Sequence, residues 1–95
     1  MPQLGFEWDP VKARRNFFKH GISFENARTV FFDPLALTVR DEPRTASSEE
    51  RFRTVGRSDD GKILVVASCE RGDTIRIISA REATKHEKKS YEEGT

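Results

Sequence analysis

The chain has 95 residues, enough for one domain with a modest core and too few for two. Hydrophobic and charged residues each make up 35% of it, so the interior is small and the surface strongly ionic. A formal charge of +1 excludes overall attraction to polyanions as the organising feature, and a single cysteine excludes an internal disulfide.

In chain order, Gly5 to Trp8 reads as a short strand with Phe6 and Trp8 on one face. Asp9-Pro10 opens a helix, because Asp caps well and Pro needs no N–H at the first helical position. Gly21 ends that helix as a left-handed cap after Lys19 and His20. Pro10, Ala13 and Phe17 form its apolar stripe, beside a basic stripe of Lys12, Arg15 and Lys19. Ser23 caps a second helix running to Phe32, in which Phe24, Ala27, Val30 and Phe31 recur at helical spacing; Asp33-Pro34 stops it.

Leu35 to Val39 is a half-buried strand. Asp41 to Glu50 (DEPRTASSEE) is polar and reads as a mobile loop. Arg51 to Gly56 resumes as a strand, with Phe52, Thr54 and Gly56 on one side and Arg51, Arg53, Val55 and Arg57 on the other. Ser58-Asp59-Asp60-Gly61 is a hairpin signal.

The chain is organised around the stretch from Lys62 to Glu92. Lys62 to Cys69 and Thr74 to Ser79 are β-branched or aliphatic almost throughout and read as two strands. Glu70-Arg71-Gly72-Asp73 connects them. Ser79-Ala80-Arg81-Glu82 fits the S-x-x-E capping box, so a charged helix is expected to start directly at Ser79. That puts Arg81 in a first turn, where a cation opposes the helix dipole. The order is then β-α-α-β-β-β-β-α. It makes an α+β domain: a small antiparallel sheet with two N-terminal helices and one C-terminal helix. The domain spans residues 5–92, with residues 1–4 and 93–95 as flexible termini.

The chemistry on offer is narrow. His20 and His86 have no second ligand at metal-binding spacing, and each reads as a solvated residue in a charged helix. There is no phosphate-cradling glycine loop and no Ser/His/Asp signature, so no metal and no cofactor are expected. Cys69 reads as a small buried hydrophobe. No basic-then-apolar leader and no apolar run of membrane-spanning length is present, which points to the cytoplasm. What remains is arginine. Arg53, Arg57, Arg71, Arg76 and Arg81 fall on or beside the last three strands. A guanidinium fork suits phosphate, and a sheet face bearing several can hold a phosphodiester backbone. The competing reading pairs these arginines with Glu49, Glu50, Glu70 and Asp73 in surface ion pairs.

Two segments carry a resemblance across nearly the whole chain, Phe6 to Glu92. They are WDPVKARRNFFKHGISF near the start and IRIISAREATKHEKKSYE at the end. With VGRSDDGKILVVASCERGD between them, they closely resemble the BrnT family of toxin–antitoxin toxins. The resemblance implies a RelE-like fold and a ribonuclease acting on mRNA to block translation. It also implies a cognate BrnA-like antitoxin, whose DNA-binding part represses the shared operon. RelE-like nucleases need no metal: the 2′-hydroxyl attacks the adjacent phosphate, with a base, an acid and cations to assist. Carried onto this sequence, the resemblance assigns Arg57 and Arg81 to phosphate stabilisation. It makes Glu70 the candidate proton acceptor and His20 a second one. Trp8 would stack on a base, unless it is a core residue, and Lys12 and Arg15 would guide the RNA backbone along with Arg53 and Arg76. Two other classes stay open: a toxin that binds RNA or the ribosome without cutting, and one that poisons gyrase. A domain that only holds the antitoxin is a third.

Overall fold

The computed structural model describes residues 5–41 and 50–94. The elements are β1 (Gly5–Glu7), α1 (Pro10–His20), α2 (Phe24–Ala27) continuing as a 3-10 helix (Arg28–Phe32), β2 (Leu37–Asp41), β3 (Arg51–Arg57), β4 (Ile63–Arg71), β5 (Thr74–Glu82) and α3 (Lys85–Glu93). The α+β class therefore holds. The expected N-terminal tail, residue 95 and most of the expected loop (residues 42–49) lie outside the described residues.

The sheet has five strands in the order β1-β5-β4-β3-β2. Strands β2 to β5 form the antiparallel meander that the turn signals implied. β1 corrects the expectation of an antiparallel sheet. It pairs parallel with β5, Gly5 opposite Thr74 and Glu7 opposite Arg76, so the sheet is mixed. A three-residue strand carries no signal for its own direction. The meander leaves β5 as a free edge, and β1 fills it before α1 departs across one face.

The last junction is the second correction. Ser79-x-x-Glu82 does not cap a helix; β5 runs through it to Glu82. The box is five residues on, at Thr84-Lys85-His86-Glu87. The Thr84 hydroxyl accepts from the Glu87 amide at 3.2 Å, and the Glu87 carboxylate accepts from the Thr84 amide at 2.8 Å. Both boxes are locally competent, and tertiary pairing decides between them. Ala80 is fully buried opposite Val66, and extending β5 gives the long β4 a partner up to Leu64. α3 also runs to Glu93, with Gly94 as its cap, so residues 93 and 94 are helix end rather than tail.

Each sheet face has its own core. On one face, Ile22, Phe24, Ala27 and Val30 from the helical layer pack on Leu64, Val66, Ile77 and Ala80. Trp8 joins them edge-to-face with Phe24, ring centroids 5.9 Å apart. On the other, Tyr91 of α3 packs with Ile63, Val65 and Ala83. Gly56 lets the helical layer close on β3: a Cβ there would lie 2.8 Å from Val30 Cγ1.

The buried position of α1 is Asn16 and not the expected Phe17, which is 57% exposed. Asn16 Nδ2 donates to the Ala80 carbonyl (2.8 Å) and the Ile22 carbonyl (3.0 Å), while its Oδ1 accepts from the Ala80 amide (3.0 Å). One side-chain amide thus serves β5 as a neighbouring strand residue would, beyond the point where β1 ends.

Candidate nucleic-acid interface

Register assembles the site. On β3, Arg51 stands opposite Cys69, Arg53 opposite Ala67 and Arg57 opposite Ile63; on β5, Arg76 stands opposite Cys69 and Arg81 opposite Val65. The β4 partners are all odd-numbered, so by two-residue alternation these five arginines share one face. A register shift between Ala67 and Ser68 leaves Ile78 as the extra residue of β5. That bulge brings Arg76 and Arg81, an odd number of residues apart, to the same side. It is the face on which α3 lies, since Ile63 and Val65 pack with Tyr91.

α3 covers only one end of this face. Between it and β2–β3 lies a groove of about 410 Å³, lined by Leu37, Val39, Arg53, Val55, His86, Glu87, Ser90 and Tyr91. Helical spacing explains the lining, because His86 and Ser90, like Glu87 and Tyr91, are four apart.

Charge in the site is arranged by pairs. Arg81 forks onto Glu87, Nη1 to Oε1 at 2.8 Å and Nη2 to Oε2 at 2.9 Å. The Arg81 hydrogen bonds outweigh partial burial and, with the Thr84 amide, hold the Glu87 carboxyl down at about 2. The same fork raises Arg81 above its already high value. Tyr91 donates its hydroxyl to Asp33, which also accepts from the Arg57 amide at 2.8 Å. That bond raises the Tyr91 phenol, with burial adding to it, so the phenol stays protonated. Burial alone would raise the Asp33 carboxyl; the bonds from Tyr91, Arg57 and Leu35 overcome this and lower it. Arg76 meets Glu7 at 3.6 Å, and Arg53 meets Asp41 only at 4.0 Å. Ion pairing does occur, then: Arg53, Arg76 and Arg81 pair with Asp41, Glu7 and Glu87, while Glu49, one of the acids expected from sequence, lies outside the described residues. No group of three or more potential metal ligands occurs among the described residues.

Comparison with known proteins decides the family. Residues 8–87 match the family model described as "Ribonuclease toxin, BrnT, of type II toxin-antitoxin system". The chain belongs to the BrnT family. Among solved structures, it is similar to the ribonuclease toxin BrnT of Brucella abortus. The two share 23% identity and a TM-score of 0.66, over 87% of this chain and 100% of that one. That likeness fixes the fold, and the BrnT family match places the chain among ribonuclease toxins of type II toxin–antitoxin systems. No curated protein matches by sequence. No helix among the described residues is long and apolar enough to cross a membrane.

The structure brings together part of the residue set expected for a BrnT-like site. Arg53, Arg57, Arg76 and Arg81 share the sheet face. Glu70 does not join them at the groove: it is exposed at the hairpin end of β4, opposite Ile75, five residues from the partner of Arg81. At strand rise that is about 17 Å. His20, Lys12 and Arg15 are exposed on α1, in the layer on the opposite face. Trp8 is half-buried against the core. Sequence reasoning passed over His86, Glu87 and Tyr91 as site residues. The signal for them was present: Thr84-x-x-Glu87 marks the true helix start, and from it the groove-facing positions follow.

Proposed function

We propose that this chain is an endoribonuclease that cuts mRNA on the α3 side of its sheet and so inhibits translation, with a BrnA-like antitoxin neutralising it. The observation that carries this reading is the shared face of Arg51, Arg53, Arg57, Arg76 and Arg81 beside a groove holding His86. A ribose 2′-hydroxyl would attack the adjacent phosphorus while the 5′-oxygen leaves. The products are a 2′,3′-cyclic phosphate and a 5′-hydroxyl. The phosphorane gains negative charge, which guanidinium groups stabilise most where water is scarce. Arg53, held loosely by Asp41, is the arginine best able to take the phosphate, with Arg81 and Arg57 behind it. His86 is the proton-transfer group of the groove, exposed and able to turn. Tyr91, kept protonated, holds Asp33 and through it the Arg57 backbone. Side chains alone carry the reaction. Repression of the operon would belong to the antitoxin's DNA-binding part, and the fold would be RelE-like in the wider sense.

The test is expression of the chain alone in a bacterium, followed by RNA integrity and cleavage assays with purified protein. Wild type should arrest growth and degrade RNA. Arg53→Ala and His86→Ala, checked for native circular dichroism, should each lose about a hundredfold or more of the cleavage rate. Intact RNA in arrested cells would sink the nuclease reading.

One observation favours a second reading. Glu87 already occupies the Arg81 fork, as in a surface built to bind rather than to cut. A chain that binds ribosomes or RNA without cleavage, and whose toxicity survives His86→Ala, would fit it. Altered plasmid supercoiling would point to gyrase instead.

A further inference from the structure

Arg81 and Glu87 meet where β5 ends and α3 begins, and Glu87 also lines the groove proposed for RNA. A carboxylate in a groove meant for a phosphodiester is out of place unless another group claims it, and Arg81 does. A guanidinium carries five N–H donors arranged as two forks, each matched to a pair of anionic oxygens: an end fork from Nη1 and Nη2, and a side fork from Nη2 and Nε. The end fork is taken. Nη1 donates to Glu87 Oε1 at 2.8 Å and Nη2 to Oε2 at 2.9 Å, while Nη1 also donates to the Glu82 carbonyl at 3.3 Å. The side fork is not taken. Among the described residues, Nε makes no hydrogen bond and Nη2 makes only the one to Glu87. With the side chain 38% exposed, Arg81 can still receive an anion from solution.

Glu87 is itself fixed. Its Oε1 also accepts from the Thr84 amide at 2.8 Å, within the capping box that starts α3. Glu87 is half-buried, so swinging Arg81 away would strip both fork bonds from a carboxylate that water reaches only in part. The pair therefore persists when RNA binds. We propose that Glu87 is a positioning residue, which holds Arg81 by its end fork so that the side fork meets the phosphate as negative charge builds on it. The inference rests on the nuclease reading and adds to it the residue that aims one of its arginines. The pair as a whole is neutral, so it offers fixed donors rather than long-range attraction. Arg53, whose acid stands at 4.0 Å, supplies the pull that brings RNA in. Arg81 supplies donors that need no reordering in the transition state.

The experiment is steady-state cleavage of a short single-stranded RNA by the purified full chain, well below its melting temperature. The variants are Glu87→Gln, Arg81→Ala and the two combined. Gln has the size of Glu and can close a capping box, so Glu87→Gln should keep native circular dichroism. It removes a negative charge from the groove, so KM should fall about twofold. It loosens the Arg81 guanidinium, so kcat should drop about tenfold or more. A loss of folded protein cannot produce that split, because it does not tighten binding. Arg81→Ala should lose at least as much kcat. In that background Glu87→Gln should cost no more, since no guanidinium is left to aim. A kcat that Glu87→Gln leaves unchanged or raises overturns this inference alone, and a rise would make Glu87 a competitor of the phosphate. An equal loss with and without Arg81 also overturns it, because Glu87 would then act through the cap. A wild-type chain that cuts no RNA fails the nuclease reading and this inference together.

Discussion

Asn16 ties α1 to the end of β5 through its side-chain amide. Its amide satisfies an amide and a carbonyl of β5 at once, in the interior. Asn16→Leu leaves the Ala80 donor and acceptor buried without partners. We expect a loss of about 2–4 kcal/mol by urea denaturation. Asn16→Asp keeps the acceptor and removes the donor, and should also destabilise. Glu87 gives a prediction with a pH signature. Its folded carboxyl lies near 2 and its unfolded one near 4.5, the value of an ordinary Glu. A depressed carboxylate stabilises fully above the unfolded value, and the effect fades as pH falls through the folded one. With Arg81 38% exposed by side chain, solvent limits the gain to about 1 kcal/mol. Glu87→Gln should therefore lower stability by roughly that amount at pH 7, and the difference should vanish near pH 2. A constant difference across that range would mean that Glu87 acts through its cap geometry and not its charge. Glu87 carried a sequence signal, the Thr84-x-x-Glu87 box, whereas Asn16 was not legible. Asn16 sits between Arg15 and Phe17, and a hydrophobicity pattern scores it as polar surface. Only the edge of β5 shows what it is for.

Elements were legible where local chemistry was unopposed. Asp9-Pro10 and Gly21 bound α1 as expected, and Asp60-Gly61 turns the β3–β4 hairpin. Local chemistry misled where two signals competed. Ser79 and Thr84 each open a capping box, and burial of Ala80 against Val66 chose the later one. The direction of β1 was not legible at all, because a parallel pairing to a strand so far along the chain leaves no local trace. Of the candidate site, the arginines of β3 and β5 were legible, while the α3 side chains were lost with the misplaced helix start. Two variants test the element scale. Thr84→Ala removes one half of the cap and should cost about 1 kcal/mol, felt first as faster amide exchange across α3. Gly56→Ala pushes a methyl into Val30 and Ala36 and should cost about 1–3 kcal/mol, read as a lower melting temperature. An unchanged melting temperature would show that the 3-10 segment can yield.

At the scale of the whole molecule, the near-zero net charge hides a segregated surface. The sheet face and α1 are each cationic, and acids are spent on pairs such as Glu87–Arg81 and Glu7–Arg76. Binding of single-stranded RNA should weaken with salt at a log–log slope of about −2, as three phosphate contacts require. Arg53→Ala should lessen that slope by about 0.7. A salt-independent affinity would mean that the arginines do not meet phosphate. Cleavage should be the same with and without EDTA, and loss of activity on chelation would overturn the side-chain mechanism.

The parallel pairing of β1 with β5 joins residue 5 to residue 74. During synthesis β1 leaves the ribosome first, and its partner emerges only after α1, α2 and β2 to β4 have been made. β4, the centre of the sheet, has β3 on one side and waits for β5 on the other. A nascent chain therefore lacks the β1–β5 pairing, the arginines of β5 and the groove beneath α3 until the residues of β5 and α3 have been made. On the proposed function, the face that would hold RNA is complete only once β5 and α3 have both left the ribosome.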